Sequence, residues 1–436
     1  MEKFDVAVKG KFLISFKHGI IENGVVGIKG SRIERIFREG DLEYEAKYAL
    51  GGSDHIVLPG LVNTHTHAAM IAFRGLADDL PLFEWLKKYI WPAEGKFVRA
   101  DFIRKTVPVA AAEMISTGTT TMADIYFYQN EAAEVLSQIG LRSVLAEGII
   151  NFPTPTAPSW KKQVDYTLNF IKNWLGDEII KPSIGPHAPY TTTPEILKKT
   201  QEIGEKYNIP IQIHIAETQD EVNEILEKFG KTPVRYLDSL GFLNELVVSA
   251  HSIWLDEEEI DIYVKKHVGI ASCPQSNAKL ASGIAPHKKF IEKDAKLALG
   301  TDGDASNNSL DMFQEMKFMA LICKVISKDP TACPAVEVLR AATLTGARVL
   351  GYYDLGDLRE GFLADVITVK INQPHSTPVY NPVSHLVYAA KGTDVNDVII
   401  NGKVVYTNKE FKTIDIERVM TEFSRIVEKI NNKYNR

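Results

Sequence analysis

From residue 59 onward, short apolar, β-branched runs recur along the chain, each followed by a longer stretch with helical periodicity. The runs are IVLPGLVNTHTH, GTTTMADIY, RSVLAEGI, KPSIGPHAP, IPIQIHIAE, LVVSAHS, VGIASCP and KLALGTDG. VRADFIRKTVPVAAAEMIST and TTPEILKKTQEIGEKYN are typical of what lies between them. Strands that alternate with helices predict parallel βαβ units, and eight of them suggest a closed (β/α)8 barrel over 59–348.

The two ends have a different pattern. In 1–58, FDVAVKGKFLISF and GVVGIKGSRIERIF alternate apolar and polar residues and are separated by Gly/Asn turns. In 349–436, ADVITVKI precedes TDVNDVIINGKVVY, whose Asn-Gly predicts a tight hairpin turn. Strands from both ends can therefore pair into one small sheet domain. The tail IERVMTEFSRIVEKINNKYNR puts Val419, Phe423, Ile426, Val427 and Ile430 on one helical face. That face packs on its own subunit; a homo-oligomer contact is the alternative.

Composition excludes more than it assigns. The 436 residues are 45% hydrophobic and 24% charged, ordinary for a soluble globular chain. A net charge of −6 without a dense Lys/Arg block gives no reason to expect a nucleic-acid partner. Lys3, Lys9 and Lys11 interrupt the N-terminal apolar residues, so no signal peptide is read there. No stretch approaches the roughly 18 apolar residues of a membrane span. Cys273, Cys323 and Cys333 show no paired spacing, so no disulfide is expected, and a reducing cytoplasm follows.

The chemistry of such a barrel collects at the C-terminal ends of its strands. Of eleven histidines, His65 and His67 end the first run, His187 the fourth, His214 the fifth and His251 the sixth. The second and third runs end in Asp124 and Glu147, the eighth in Asp302. His-x-His alone says little. But side chains two apart on a strand point the same way, so His65 and His67 can face one ion. His214 and Asp302 then complete a set of imidazoles plus one carboxylate, compatible with one Zn²⁺ and an open position for water; Fe²⁺ or Mn²⁺ fit the same donors. Zn²⁺ brings the pKa of bound water to about 7. Glu217, three residues past His214, is placed to shuttle a proton, Asp302 to accept one, and His251 to orient the attacking oxygen. His187 either contacts ligand or hydrogen-bonds within its loop. His18, His55, His267, His287, His375 and His385 are assigned no role, and the cysteines are read as packing residues, Cys273 alone lying near the mouth.

PGLVNTHTH, HIAE, SAH and LGTDG, in this order, resemble the amidohydrolase superfamily. RGLADDLPLFEWLKKYIWPAE, GPHAPYT, CPQSNAKLASGIAP and GTDGDASNNSLDMFQEM narrow the resemblance to the 5-methylthioadenosine/S-adenosylhomocysteine deaminases, over nearly the whole chain. The resemblance implies a TIM-like barrel with a β-sandwich and metal ligands His65, His67, His214 and Asp302. It also implies a small-molecule nucleoside that loses ammonia from C6. Glu217 would protonate the purine ring, His251 and Asp302 would activate water, Glu94 would bind the ribose hydroxyls, and His187 would contact the nucleoside.

Two positions depart from that pattern. Glu147 stands where some relatives carry an arginine for an amino-acid carboxylate. If it faced the pocket it would repel that group, which predicts that 5-methylthioadenosine, 5′-deoxyadenosine or adenosine is preferred over S-adenosylhomocysteine. Asp304 stands where relatives often have a small residue. The fourth run lacks a lysine at its C-terminal end, since Lys181 lies at the other end, which favours one metal over two. Deaminases of guanine, cytosine, pterins or triazines are the alternatives, and a non-catalytic scaffold is the remote one because all four ligands, Glu217 and His251 are kept.

Overall fold

The structure is a computed structural model and describes residues 1–434. The alternating N-terminal segments form β1 (Glu2–Ser15), β2 (Gly19–Lys29), β3 (Arg32–Arg38) and β4 (Tyr44–Pro59). The eight apolar runs form β5 (Leu61–Thr66), β6 (Thr119–Tyr126), β7 (Arg142–Ile149), β8 (Ile180–Pro186), β9 (Ile211–Ile215), β10 (Val247–His251), β11 (Gly269–Ser272) and β12 (Lys296–Leu299). The C-terminal region adds β13 (Val366–Lys370), β14 (Val395–Ile400), β15 (Lys403–Thr407) and β16 (Glu410–Phe411).

β5 to β12 are parallel neighbours in sequence order. Every residue of β5, β6 and β7 is buried, because one face meets the barrel interior and the other the surrounding helices. The first and last strands meet where the Thr64 hydroxyl donates to the Leu299 carbonyl (2.8 Å) and the Asp302 N–H to the His65 carbonyl (2.9 Å). The lower interior is filled by small side chains, among them Val62, Ala123, Val144, Val248, Ala271 and Ala298. It is a packed core, so the chemistry is left to the other end.

The strands of both chain ends hydrogen-bond as one continuous sheet, in the order β16-β15-β14-β13-β4-β1-β2-β3. The ends join where β13 runs antiparallel to β4, Val366 opposite Pro59 through Lys370 opposite His55. Val8, Leu13, Ile28, Val57 and Val366 lie in its core. Asn401 and Gly402 turn β14 into β15 with φ of 51° and 74°, the left-handed pair a two-residue hairpin needs. A Cβ on Gly402 would fall 1.8 Å from the Gly30 carbonyl oxygen, so the turn has no room for a side chain.

Barrel and sheet are joined through a buried ion pair. Arg142 of β7 donates from Nε and Nη2 to the two oxygens of Asp365 (2.9 and 3.0 Å), and Asp365 also accepts from the Asn401 N–H (2.8 Å). The C-terminal helix Ile416–Tyr434 buries Val419, Ile426 and Ile430 and packs on the helix Ala100–Ser116 of the same chain. Among the described residues no helix is long and apolar enough to cross a membrane.

One expectation is corrected. Cys323 and Cys333 form a disulfide, their Cα atoms 6.3 Å apart. The helix Met312–Ser327 ends and the chain turns back between them, so ten residues of separation become a bonding distance. Cysteine usage therefore no longer argues for a reducing compartment. Cys273 is free and buried.

Candidate active site

The strand ends converge as the barrel requires. At the end of β5, His65 is 2% exposed and its Nε2 has no hydrogen-bond partner among the described residues. His67 Nδ1 lies 2.6 Å from the Ile125 carbonyl and His214 Nδ1 2.6 Å from the His187 carbonyl. A carbonyl only accepts, so both Nδ1 atoms carry the proton and both Nε2 atoms are left as donors to a cation. Those two Nε2 atoms face each other at 3.4 Å. Asp302 Oδ1 stands 3.5 Å from His65 Nε2 and 3.3 Å from His67 Nε2. The donor atoms fall into two overlapping groups, His65–His67–Asp302 and His65–His214–His251, and together with the orphaned His65 nitrogen they fit one divalent cation.

The electrostatics agree. Burial, with the neighbouring rings, holds His65 down to about 4 and His187 to about 3, and keeps His214 well below the ordinary imidazole range. His67 is the exception: burial opposes its charge, but the Asp302 carboxylate outweighs that and lifts it to about 9. Asp302 is buried too, yet its contacts with His65 and His67 hold it well below the usual carboxylate range. His65 and His214 neutral and Asp302 ionised are the states in which these groups bind a cation.

Asp302 is set from several sides. Its φ of 64° is in the left-handed region, and the Ser276 and Ser306 hydroxyls donate to Oδ2 (2.6 and 2.8 Å) while the Gly303 N–H donates to Oδ1 (2.7 Å). His251, at the end of β10 and also left-handed with φ 68°, bonds through Nδ1 to Asn277 Oδ1 (2.9 Å). Its Nε2 lies 3.8 Å from Glu217 Oε2. Glu217 is 8% exposed; burial raises its pKa, against the pull of His251. Glu221 fixes this turn by accepting from the N–H groups of Ala216 (3.0 Å) and Glu217 (2.8 Å).

The segment after β5 forms one wall. A 3₁₀ turn (Ala68–Phe73) leads into a π-helical turn (Leu86–Ile90) and the short helix Trp91–Phe97. They bring Trp85, Leu86, Trp91 and Glu94 to a cavity of about 500 Å³ that also holds His67, His187, His214, Glu217, His251 and Asp302. Glu94 is buried and accepts from the Tyr126 hydroxyl (2.8 Å); burial lifts its pKa to about 7 although that hydrogen bond lowers it. His187 bonds to the Thr191 hydroxyl through Nδ1 (2.9 Å) and still lines the cavity. None of the six histidines left without a role lines it.

Asp124 and Glu147 have other tasks. Asp124 accepts from the Ala68 N–H (2.6 Å), the Thr66 hydroxyl (2.9 Å) and Gln129 Nε2 (2.6 Å), holding the residues on either side of His67. Glu147 does not line the cavity, where Gly148 and Ile150 stand instead. It turns behind β7 and accepts from the Gln129 N–H (3.0 Å), and burial pushes its pKa to about 8. The premise that it repels a substrate carboxylate is therefore corrected: it points the wrong way, and burial favours its neutral form. Asp304 binds Arg74 through both its oxygens, at 3.0 Å from Nε and 2.8 Å from Nη2, tying the loop behind Asp302 to the segment after β5.

Ser276, Asn277, Ser306, Tyr126 and Glu221 were not singled out from the sequence. Ser276 and Asn277 sit in CPQSNAKL and Ser306 four residues past Asp302, so motif and helical spacing carried a faint signal.

Residues 56–405 match the amidohydrolase family. The 5-methylthioadenosine/S-adenosylhomocysteine deaminase of Thermodesulfovibrio yellowstonii is 39% identical over 98% of each chain. That of Dictyoglomus turgidum is 43% identical over 93% of this chain and 95% of its own. The crystal structure of an adenosine deaminase from Xanthomonas campestris with bound zinc superposes with a TM-score of 0.97 at 33% identity, covering 99% of each chain. The chain belongs to the amidohydrolase family.

Proposed function

We propose that the protein is a hydrolytic deaminase of 5′-substituted adenosines, releasing ammonia from C6 to leave the inosine analogue. The observation that carries this reading is the pairing of Glu217 and His251 with the His65–His67–His214–Asp302 cluster in a cavity that also contains the buried Glu94. The named activities of the relatives support it, and the bound zinc of the Xanthomonas structure supports zinc here.

His65, His67, His214 and Asp302 would hold one divalent cation, which when bound supplies Lewis acidity and a water acidic enough to ionise near neutral pH. The other steps belong to side chains of this chain. Glu94 accepts from the ribose hydroxyls, its second partner being Tyr126. His187, kept neutral by burial, contacts the nucleoside. Glu217, whose carboxyl is shifted toward its protonated form by burial, gives a proton to the purine ring nitrogen as water adds to C6. The Asp302 carboxylate takes the proton that the water gives up, and His251 Nε2 orients the attacking oxygen. Asp302 then gives that proton to the amino group, which leaves as NH₃, while Glu217 takes the proton of the C6 hydroxyl as the carbonyl forms.

A screen of ammonia release by zinc-loaded protein tests this over 5-methylthioadenosine, S-adenosylhomocysteine, 5′-deoxyadenosine, adenosine, guanine, cytosine and pterin. Turnover of the nucleosides, and none of the free bases, is expected. Turnover confined to a free base would overturn it.

A further inference from the structure

The cavity is asymmetric in charge. Its carboxylates, Glu94, Glu217 and Asp302, are all buried, and among the described residues one cation besides the histidines lines it: Arg99, which is exposed. Arg99 precedes the helix Ala100–Ser116 and donates through Nη1 to the Val98 carbonyl (2.5 Å) and through Nη2 to the Gly95 carbonyl (3.0 Å). Gly95 also lines the cavity and directly follows Glu94. The guanidinium is thus held beside the residue proposed to bind the ribose. Two carbonyls position it and leave its charge uncompensated, and no described carboxylate forms an ion pair with it. Leu82, Trp85, Leu86, Trp91 and Phe152 give the same cavity an apolar wall. Trp91 and Phe152 meet edge to face, their centroids 6.1 Å apart.

Such a surface offers a 5′-thioether an apolar bed for its sulfur and methylenes and a guanidinium for an anion beyond them. With Glu147 turned behind β7, the carboxylate on this wall is Glu94, which is held by the Tyr126 hydroxyl. We infer that Arg99 is a specificity-determining residue that pairs with the carboxylate of an amino-acid 5′-substituent, so that S-adenosylhomocysteine is recognised by charge and 5-methylthioadenosine by the apolar wall alone. This rests on the deaminase reading above.

The test is the ratio of kcat/KM for S-adenosylhomocysteine to that for 5-methylthioadenosine, in wild type, Arg99→Leu and Arg99→Lys. Because the pair is solvent-accessible, the ratio should fall about fivefold in Arg99→Leu and less in Arg99→Lys. The decarboxylated analogue, which keeps the amine and lacks the anion, should improve relative to 5-methylthioadenosine once the arginine is gone. An unchanged ratio in Arg99→Leu would overturn the inference. If no nucleoside is deaminated at all, the deaminase reading fails instead. Calorimetric binding of S-adenosylhomocysteine to wild type and Arg99→Leu then still decides the role of Arg99, with equal affinities counting against it.

Discussion

His67 Nε2 and His214 Nε2 stand 3.4 Å apart, each with its Nδ1 committed to a backbone carbonyl 2.6 Å away. Both Nε2 atoms are thereby aimed at one point, and the buried His65 Nε2, which has no hydrogen-bond partner among the described residues, adds a third nitrogen. The wild-type chain should therefore bind one divalent cation. His214→Ala should weaken that binding by more than about 100-fold, since even supporting partners of metal ligands contribute on that scale. Zinc at a hundredfold excess over Kd should stabilise the wild type by about 2.7 kcal/mol and leave the variant nearly unmoved. Metal analysis and thermal unfolding check both.

Glu217 sits at a strand end beside His251 but is no part of the donor cluster. Glu217→Gln keeps its shape and removes its proton. Metal content should stay at the wild-type level while kcat falls about 10²–10⁴-fold. A variant with a near-normal rate would take Glu217 out of the mechanism.

Glu94 gives the account a pH dependence. Its pKa is lifted to about 7, chiefly by burial. Below that pH it is protonated and can accept less well from a diol; above it, the carboxylate accepts from both hydroxyls. KM for adenosine should therefore fall as pH rises through about 7. Glu94→Gln should flatten that profile and raise KM by about tenfold, the scale of a charge-assisted hydrogen bond. Tyr126→Phe removes a donor that favours the carboxylate, so its inflection should move to higher pH.

Glu147 is read best by stability. Its folded pKa of about 8 lies above the ordinary 4.5, so the folded state binds its proton more tightly than the unfolded state does. That contribution is fully present below 4.5 and is lost as pH rises through about 8. Glu147→Gln keeps an acceptor for the Gln129 N–H and carries no charge. It should be more stable than the wild type near pH 9, by up to roughly 5 kcal/mol, and match it near pH 4.

The barrel was legible because strands buried on both faces read as apolar runs, and their last residues fall where a site must lie. His65, His67, His214, His251, Glu217 and Asp302 were each visible that way, and the structure brings them together. What sequence could not show was direction and support. Glu147 is one residue out of phase with Val144 and Gly148, which face inward, and only the fold sets that parity. Ser276, Ser306 and Tyr126 belong to common residue types and reach Asp302 and Glu94 from other elements. Cys323 and Cys333 meet because a helix ends between them.

The central claim is that these donors hold one cation on which deamination depends. Its most direct measurement is ammonia release from 5-methylthioadenosine by the chelated, metal-free protein as zinc is titrated back. Activity absent at the start, rising linearly and levelling at one equivalent per chain, is the predicted result; a metal-free chain that deaminates at the full rate would contradict it.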